Sequence, residues 1–169
     1  MAGHMTLQRQ ARLMTRQFER RPLRLGRIFS ASPPHFVTIC THDRRACLAS
    51  HEVHAAFVFF TQRAADKLGI AVGRYVIMPD HVHLFVRGGP GFVLGRWVAM
   101  LKQSLAKAPR WSRKDAQIWQ EGFFDHLLRN DESYAQKWEY VRGNPVRAGL
   151  VHCWEDWPYQ GEIVYIDRS

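Results

Sequence analysis

The residues best placed to do chemistry are in Met78-Pro79-Asp80-His81-Val82-His83-Leu84-Phe85-Val86. On a strand the side-chain period is two, so His81 and His83 project from one face while Val82, Leu84 and Val86 project from the other. Their Cβ atoms then lie roughly 6–7 Å apart, which lets both rings reach a single cation. Divalent-metal binding is the physical reason to pair them; the plain alternative is a strand whose solvent face happens to carry two histidines. Two familiar chemistries fail on the neighbouring residues. Phe85 and Val86 stand where a His-x-His-x-Asp-His hydrolase needs Asp and His, and Phe85 stands where a His-x-His-x-His nucleotidyl transferase needs its third imidazole. Another residue must complete the site, and Asp80 is assigned to shaping the turn rather than to the metal.

A second signal is Trp138-Glu139-Tyr140-Val141-Arg142-Gly143-Asn144-Pro145-Val146-Arg147-Ala148-Gly149-Leu150. In a helix Tyr140 and Asn144 share a face one turn apart, so an oxygen nucleophile and an amide oxygen ligand can approach one ion. Pro145 disfavours α geometry at Asn144 and puts the pair at a helix end. Taken alone, the run reads as a packed aromatic before a turn; the His-x-His pair changes that balance.

The elements that must position these groups follow from pattern. Residues 35–41, rich in β-branched and aromatic side chains, read as a first strand. Ser50 is an N-cap for a helix whose apolar positions Val53, Phe57, Phe60, Ala64 and Leu68 run to a stop at Gly69. Residues 70–78 and 82–87 form an antiparallel hairpin turning at Met78-Pro79-Asp80-His81. Leu94, Val98, Leu101 and Leu105 then make the apolar seam of a second helix, with Arg96, Gln103, Lys107 and Arg110 on its outer stripe. Residues 109–126 read as irregular and aromatic; Asn130 or Asp131 caps a last helix running to about Gly143, and Ile163-Val164-Tyr165-Ile166 ends the chain as a short strand. The order strand, helix, strand, strand, helix points to an α+β, ferredoxin-like (RRM-like) sandwich: an antiparallel sheet with helices packed on one face and the other face free for function.

Composition narrows the partner. A chain of 169 residues with 46% hydrophobic content can bury a real core, which excludes wholesale disorder. Its 24 basic against 15 acidic side chains leave a formal +9, and nineteen of the basic residues are Arg, which suits bidentate phosphate contacts. Three cysteines without a Cys-x-x-Cys argue against a disulfide framework or thiolate zinc site. No apolar run approaches the ~18 residues of a membrane span and the Arg-rich start is not a signal peptide, so a soluble, cytosolic (cytoplasmic) protein is expected, with no membrane partner. Residues 1–34 read as a basic arm, of which 1–5 look partly like a cloning remnant, and residues 35–169 as one domain with a C-terminal tail.

From about Phe36 to Tyr159 the chain resembles the single-tyrosine HUH transposases, in particular the REP-associated tyrosine transposases. The resemblance is carried by Phe36-Val37-Thr38, Met78-Pro79-Asp80-His81-Val82-His83, Trp119-Gln120 followed by Phe124-Asp125-His126 and Arg129, the 140–150 run, and Trp157-Pro158-Tyr159, in that order. It implies that His81 and His83 are the HUH metal ligands, Tyr140 the nucleophile and Asn144 the third ligand. It also implies Mg²⁺ or Mn²⁺ as cofactor and hairpin-bearing single-stranded DNA as partner. Two imidazoles would by themselves favour Mn²⁺ or Zn²⁺, so the working metal stays open. The reaction implied is transesterification: Tyr140 attacks a phosphodiester to give a 5′-phosphotyrosyl enzyme and a free 3′-OH. Relatives include monomers and homodimers that contribute the tyrosine helix in trans. Expected DNA contacts are Arg16, Arg20, Arg21, Lys107, Arg110, Arg129 and Arg142, with Trp97, Trp111 and Trp119 divided between base stacking and core. The alternatives are a non-catalytic single-strand-binding module, which needs neither metal nor tyrosine, and a metal-dependent nuclease in which water attacks.

Overall fold

The structure is a computed structural model that describes residues 32–108, 117–128 and 131–166. Its elements are β1 (His35–Cys40), α1 (His51–Leu68), β2 (Ala71–Ile77), β3 (His81–Arg87), α2 (Leu94–Ala106), β4 (Phe124–Leu127), α3 (Asp131–Arg142), the single turn α4 (Asn144–Arg147) and β5 (Gln160–Glu162). All strand pairings are antiparallel, in the order β4-β1-β3-β2-β5. The expected α+β antiparallel sandwich is therefore what forms.

Local signals explain most boundaries. The Ser50 hydroxyl accepts the Val53 amide at 3.3 Å, and Gly69 ends α1 in the left-handed region at φ 61°, where a side chain would be strained. The hairpin's alternation sends Val82, Leu84 and Val86 with Val37, Ile39, Tyr75 and Ile77 into a core closed by Phe57 of α1 and by Trp97, Val98 and Leu101 of α2.

Four expectations need correcting. The opposite sheet face is not free: Tyr134, Trp138 and Val141 of α3 pack there on Val76 and Phe85, joined by Trp157, Val164 and Ile166 from the tail. Those three helix residues recur at i, i+4 and i+7, an apolar stripe that needs a second face to cover. Two β strands also lie elsewhere than expected. Residues 124–127, expected to be irregular or to precede the helix, form β4 against β1, and the last strand is β5 at 160–162, not 163–166. Finally, Asn144 is helical despite Pro145, because the proline occupies the first turn of α4, where its missing amide hydrogen is not needed.

A bulge in β2 at Gly73-Arg74 makes room for α3. A Cβ on Gly73 would lie 2.9 Å from both the Tyr134 hydroxyl and Ile166 Cδ1, so a side chain there would force both to shift. Arg74 turns its guanidinium over the Trp138 ring at 5.1 Å, and Tyr134 stacks on Phe85 at 4.2 Å.

The first core contains a titratable group. His54 is buried with Nε2 2.8 Å from the Tyr75 hydroxyl, and burial pushes its pKa down to about 4. Unfolded His54 regains an ordinary value near 6.5, so the unfolded state binds the extra proton between those values. Its contribution is complete above pH 6.5 and is lost as pH falls towards 4, up to about 3 kcal/mol. Urea unfolding at stepped pH should show a decline in wild type that His54→Gln reduces by this amount, leaving the part that belongs to His83; parallel curves would contradict it.

Candidate active site

His81 and His83 lie at the start of β3 on the face covered by α3, beside the last residues of β1. Their ring centroids are 4.6 Å apart and nearly perpendicular at 79°. Each ring is held through Nδ1. His81 Nδ1 is 2.6 Å from Asp80 Oδ1, and His83 Nδ1 is 2.8 Å from Thr38 Oγ1. With Nδ1–H donating to the Asp80 carboxylate and the Thr38 hydroxyl, both Nε2 lone pairs are left for a cation. Phe36 stacks on His83 at 5.4 Å and fixes that ring further.

The turn beneath His81 is clamped from the 41–48 loop. Thr41 N donates to Asp80 O at 2.9 Å, and Cys47 N and Leu48 N donate to Pro79 O at 2.7 and 2.8 Å. Asp43 and Arg44 take left-handed backbone angles, φ 52° and 53°, which cost non-glycine residues energy. That conformation brings Arg44 Nη1 within 3.2 Å of Asp80 Oδ2, the oxygen not used by His81. Asp80 is thus both the turn residue expected and an orienting group for His81. Burial, then the neighbouring His81 and Arg44, pushes the His83 pKa down to about 3, so its imidazole is neutral and available as a ligand.

Tyr140 lies in the last turn of α3 with 63% of its surface exposed. The Arg147 guanidinium lies 4.3 Å from the centre of its ring and donates to the Tyr140 carbonyl and to Asn144 Oδ1. Gly143 leaves the space for this fold-back, since a Cβ there would come within 2.7 Å of Arg147 Nη1. The Arg147 charge also contributes to lowering the His83 pKa. One turn earlier, Lys137 Nζ sits 5.7 Å from the Phe36 ring that stacks on His83. The tyrosine helix therefore docks on the histidine face of its own chain.

Among the described residues no group of three or more His, Cys, Asp or Glu could hold a metal. Two neighbouring imidazoles held through Nδ1 nevertheless suit a divalent cation by type, and a carboxamide oxygen such as that of Asn144 is a compatible further donor. Asn144 is the weak member as it stands, because its Oδ1 already accepts from Arg147.

The expected DNA contacts divide. Arg16, Arg20, Arg21, Arg110 and Arg129 lie outside the described residues, as does Trp111. Lys107 caps α2, in the layer across the sheet from the histidines, and is not brought to the site. Arg142 pairs with Glu139 and covers the Trp154 ring at 4.7 Å. Trp97 is core, 1% exposed, and Trp119 is half-buried with Nε1 donating to Lys102 O at 2.9 Å. Sequence reading gave no role to Thr38, Arg44 or Arg147; Thr38 and Arg147 lie within quoted runs, but nothing in those runs says which side chains they meet.

Residues 30–144 match the family model described as "Transposase IS200 like", a span that includes His81, His83, Tyr140 and Asn144. The chain belongs to the IS200-like transposase family. It is thus a transposase-type, DNA-cleaving enzyme by family, and the family is generally metal-dependent. An Escherichia coli K12 protein named REP-associated tyrosine transposase is 29% identical over 126 residues, 73% of each chain. A Haemophilus influenzae protein provisionally named a REP-associated tyrosine transposase is 28% identical over 146 residues, covering 79% of this chain and 81% of that one. A solved REP-associated tyrosine transposase bound to a REP hairpin shares the fold at TM-score 0.63 and 20% identity, over 84% of this chain and 93% of its own. No described helix is long and apolar enough to cross a membrane.

The role of Asp80 is testable apart from catalysis. Asp80→Asn keeps the side chain's size but removes the charge that holds the His81 tautomer, and loss of such an orienting carboxylate typically weakens metal binding about 10- to 100-fold. Calorimetric titration with Mn²⁺ should show that loss with an unchanged melting temperature. Unchanged affinity would reduce Asp80 to a turn residue.

Proposed function

We propose that this chain cleaves and rejoins single-stranded DNA at hairpin-forming, REP-like sequences, with Tyr140 as nucleophile and His81, His83 and Asn144 as the metal-binding set. The observation that carries the reading is the docking of the tyrosine helix on the histidine face of one chain, where Tyr134, Trp138 and Val141 pack on Val76 and Phe85 and Lys137 lies over the Phe36 ring that stacks on His83. The hairpin partner comes from the similarity to proteins named for REP elements.

A phenol of pKa ~10 is only about a thousandth ionised at pH 7, so Tyr140 needs help to attack. A divalent ion, Mg²⁺ or Mn²⁺, bound at this donor set would polarise the scissile phosphate and offset the charge gathering on it. Asp80 keeps His81 in the ligating tautomer, Thr38 holds the His83 ring through Nδ1, and the burial of His83 keeps it unprotonated. The Tyr140 oxygen forms a bond to phosphorus, the P–O3′ bond breaks, and the phenolic proton is lost as the 3′ oxygen leaves as a hydroxyl. Attack by another 3′-OH reverses the step and restores the phenol, so strands are exchanged without ATP. The arginine-rich surface supplies phosphate contacts, and action on DNA places the protein in the bacterial cytoplasm with the nucleoid.

The test uses hairpin-bearing single-stranded DNA labelled at either end, with Mn²⁺ or Mg²⁺, on denaturing gels. A 5′-phosphotyrosyl linkage makes the 3′ label travel with the protein and leaves the 5′ label on a free fragment. Cleavage with no protein-bound label would instead indicate water as the nucleophile. Binding that survives EDTA with no cleavage would leave a non-catalytic module.

A further inference from the structure

On this reading of the site, the structure offers a second contact for the strand beside the scissile phosphate. In antiparallel pairs, directly opposite residues project from the same face. Phe124 pairs with Thr38, Thr38 with His83, and His83 with Val76, so Phe124, Thr38, His83 and Val76 form one row on the histidine face. Phe124 ends the row on the edge strand β4, two strands from His83, roughly 9–10 Å away by ordinary strand spacing. It is 64% exposed, although its neighbour Phe123 packs against the core. A bare aromatic on a sheet edge is a liability that proteins usually blunt with charge. Its position beside His83 gives that exposure a use.

We propose that Phe124 is a stacking platform for an unpaired nucleobase within one or two nucleotides of the phosphate attacked by Tyr140. A flat ring at that distance matches the reach from a phosphate to a neighbouring base, and a phenyl face accepts any base, so it binds the strand without reading its sequence. The cation at Lys137, over Phe36 on the same face, is available to the adjoining backbone phosphate.

The experiment uses the full chain carrying Tyr140→Phe, so that bound DNA stays intact, and hairpin-bearing single strands with 2-aminopurine stepped through the positions beside the stem. Wild-type Phe124 should quench the probe at one or two adjacent positions. Phe124→Ala should remove that quenching and weaken binding roughly ten- to hundredfold, and Phe124→Trp should restore both. Phe59, 65% exposed on α1 across the sheet, is the matched control, and Phe59→Ala should change neither. Because Phe124 is largely outside the core, circular dichroism melting should be the same for all variants. Normal quenching in Phe124→Ala, equal weakening by Phe59→Ala, or failure of Phe124→Trp to restore binding would each overturn the platform. The site reading stands or falls separately on adduct formation by the chain with Tyr140 intact: an adduct that forms equally in Phe124→Ala sinks this inference alone.

Discussion

Replacing Tyr140 by Phe abolishes the protein–DNA adduct and lowers strand cleavage by about a thousandfold or more, a barrier change of about 4 kcal/mol. The substitution removes one oxygen and leaves the aromatic ring on which Arg147 rests, 4.3 Å from its centre. Tyr140 is 63% exposed, and no described hydrogen bond of its hydroxyl is lost with that oxygen. Melting temperature and DNA affinity should therefore match wild type, so the loss is confined to chemistry. A Tyr140→Phe protein that still cleaves at wild-type rate assigns the attack to water, and one that still forms the adduct assigns it to another residue.

Alanine at either histidine should lower cleavage by about a hundredfold or more, but with different side effects. His81 sits at the rim, its side chain 17% exposed, and its loss frees Asp80, which keeps its Arg44 partner. Raising the Mn²⁺ concentration should recover part of the activity of His81→Ala, since Asn144, His83 and water can still gather the ion. Loss of His83 also removes the Phe36 stack and leaves the Thr38 hydroxyl without its imidazole partner. His83→Ala should thus lose about 1–2 kcal/mol of stability and be rescued less by metal. Calorimetric Mn²⁺ affinities beside thermal melts check both. Equal metal affinity in wild type and in either variant would remove that histidine from the donor set.

How far the sequence reveals this arrangement depends on whether the signal is local. Ser50 and Gly69 bracket α1 because capping involves only neighbours in the chain, and the strand parity of His81 and His83 needs no tertiary information. The edge strand β4 is four residues, all exposed, so it carries no inside-outside alternation to read; only pairing with β1 defines it. The covered second face was legible in principle from Tyr134, Trp138 and Val141 one helical turn apart, but nothing local says which surface that stripe meets. Thr38 lies 45 positions from His83, one strand away across the sheet, and their hydrogen bond appears only once the chain is folded. Pro145 misleads because its bias against helix at the preceding residue is weaker than its fitness for a first turn.

Mass spectrometry of the nuclease-trimmed adduct tests the central claim most directly. A nucleotide 5′-phosphate attached to the peptide that contains Tyr140, formed with divalent metal and sharply reduced in His81→Ala, is the predicted result. A nucleotide on any other residue, or complete cleavage with every peptide unmodified, would contradict it.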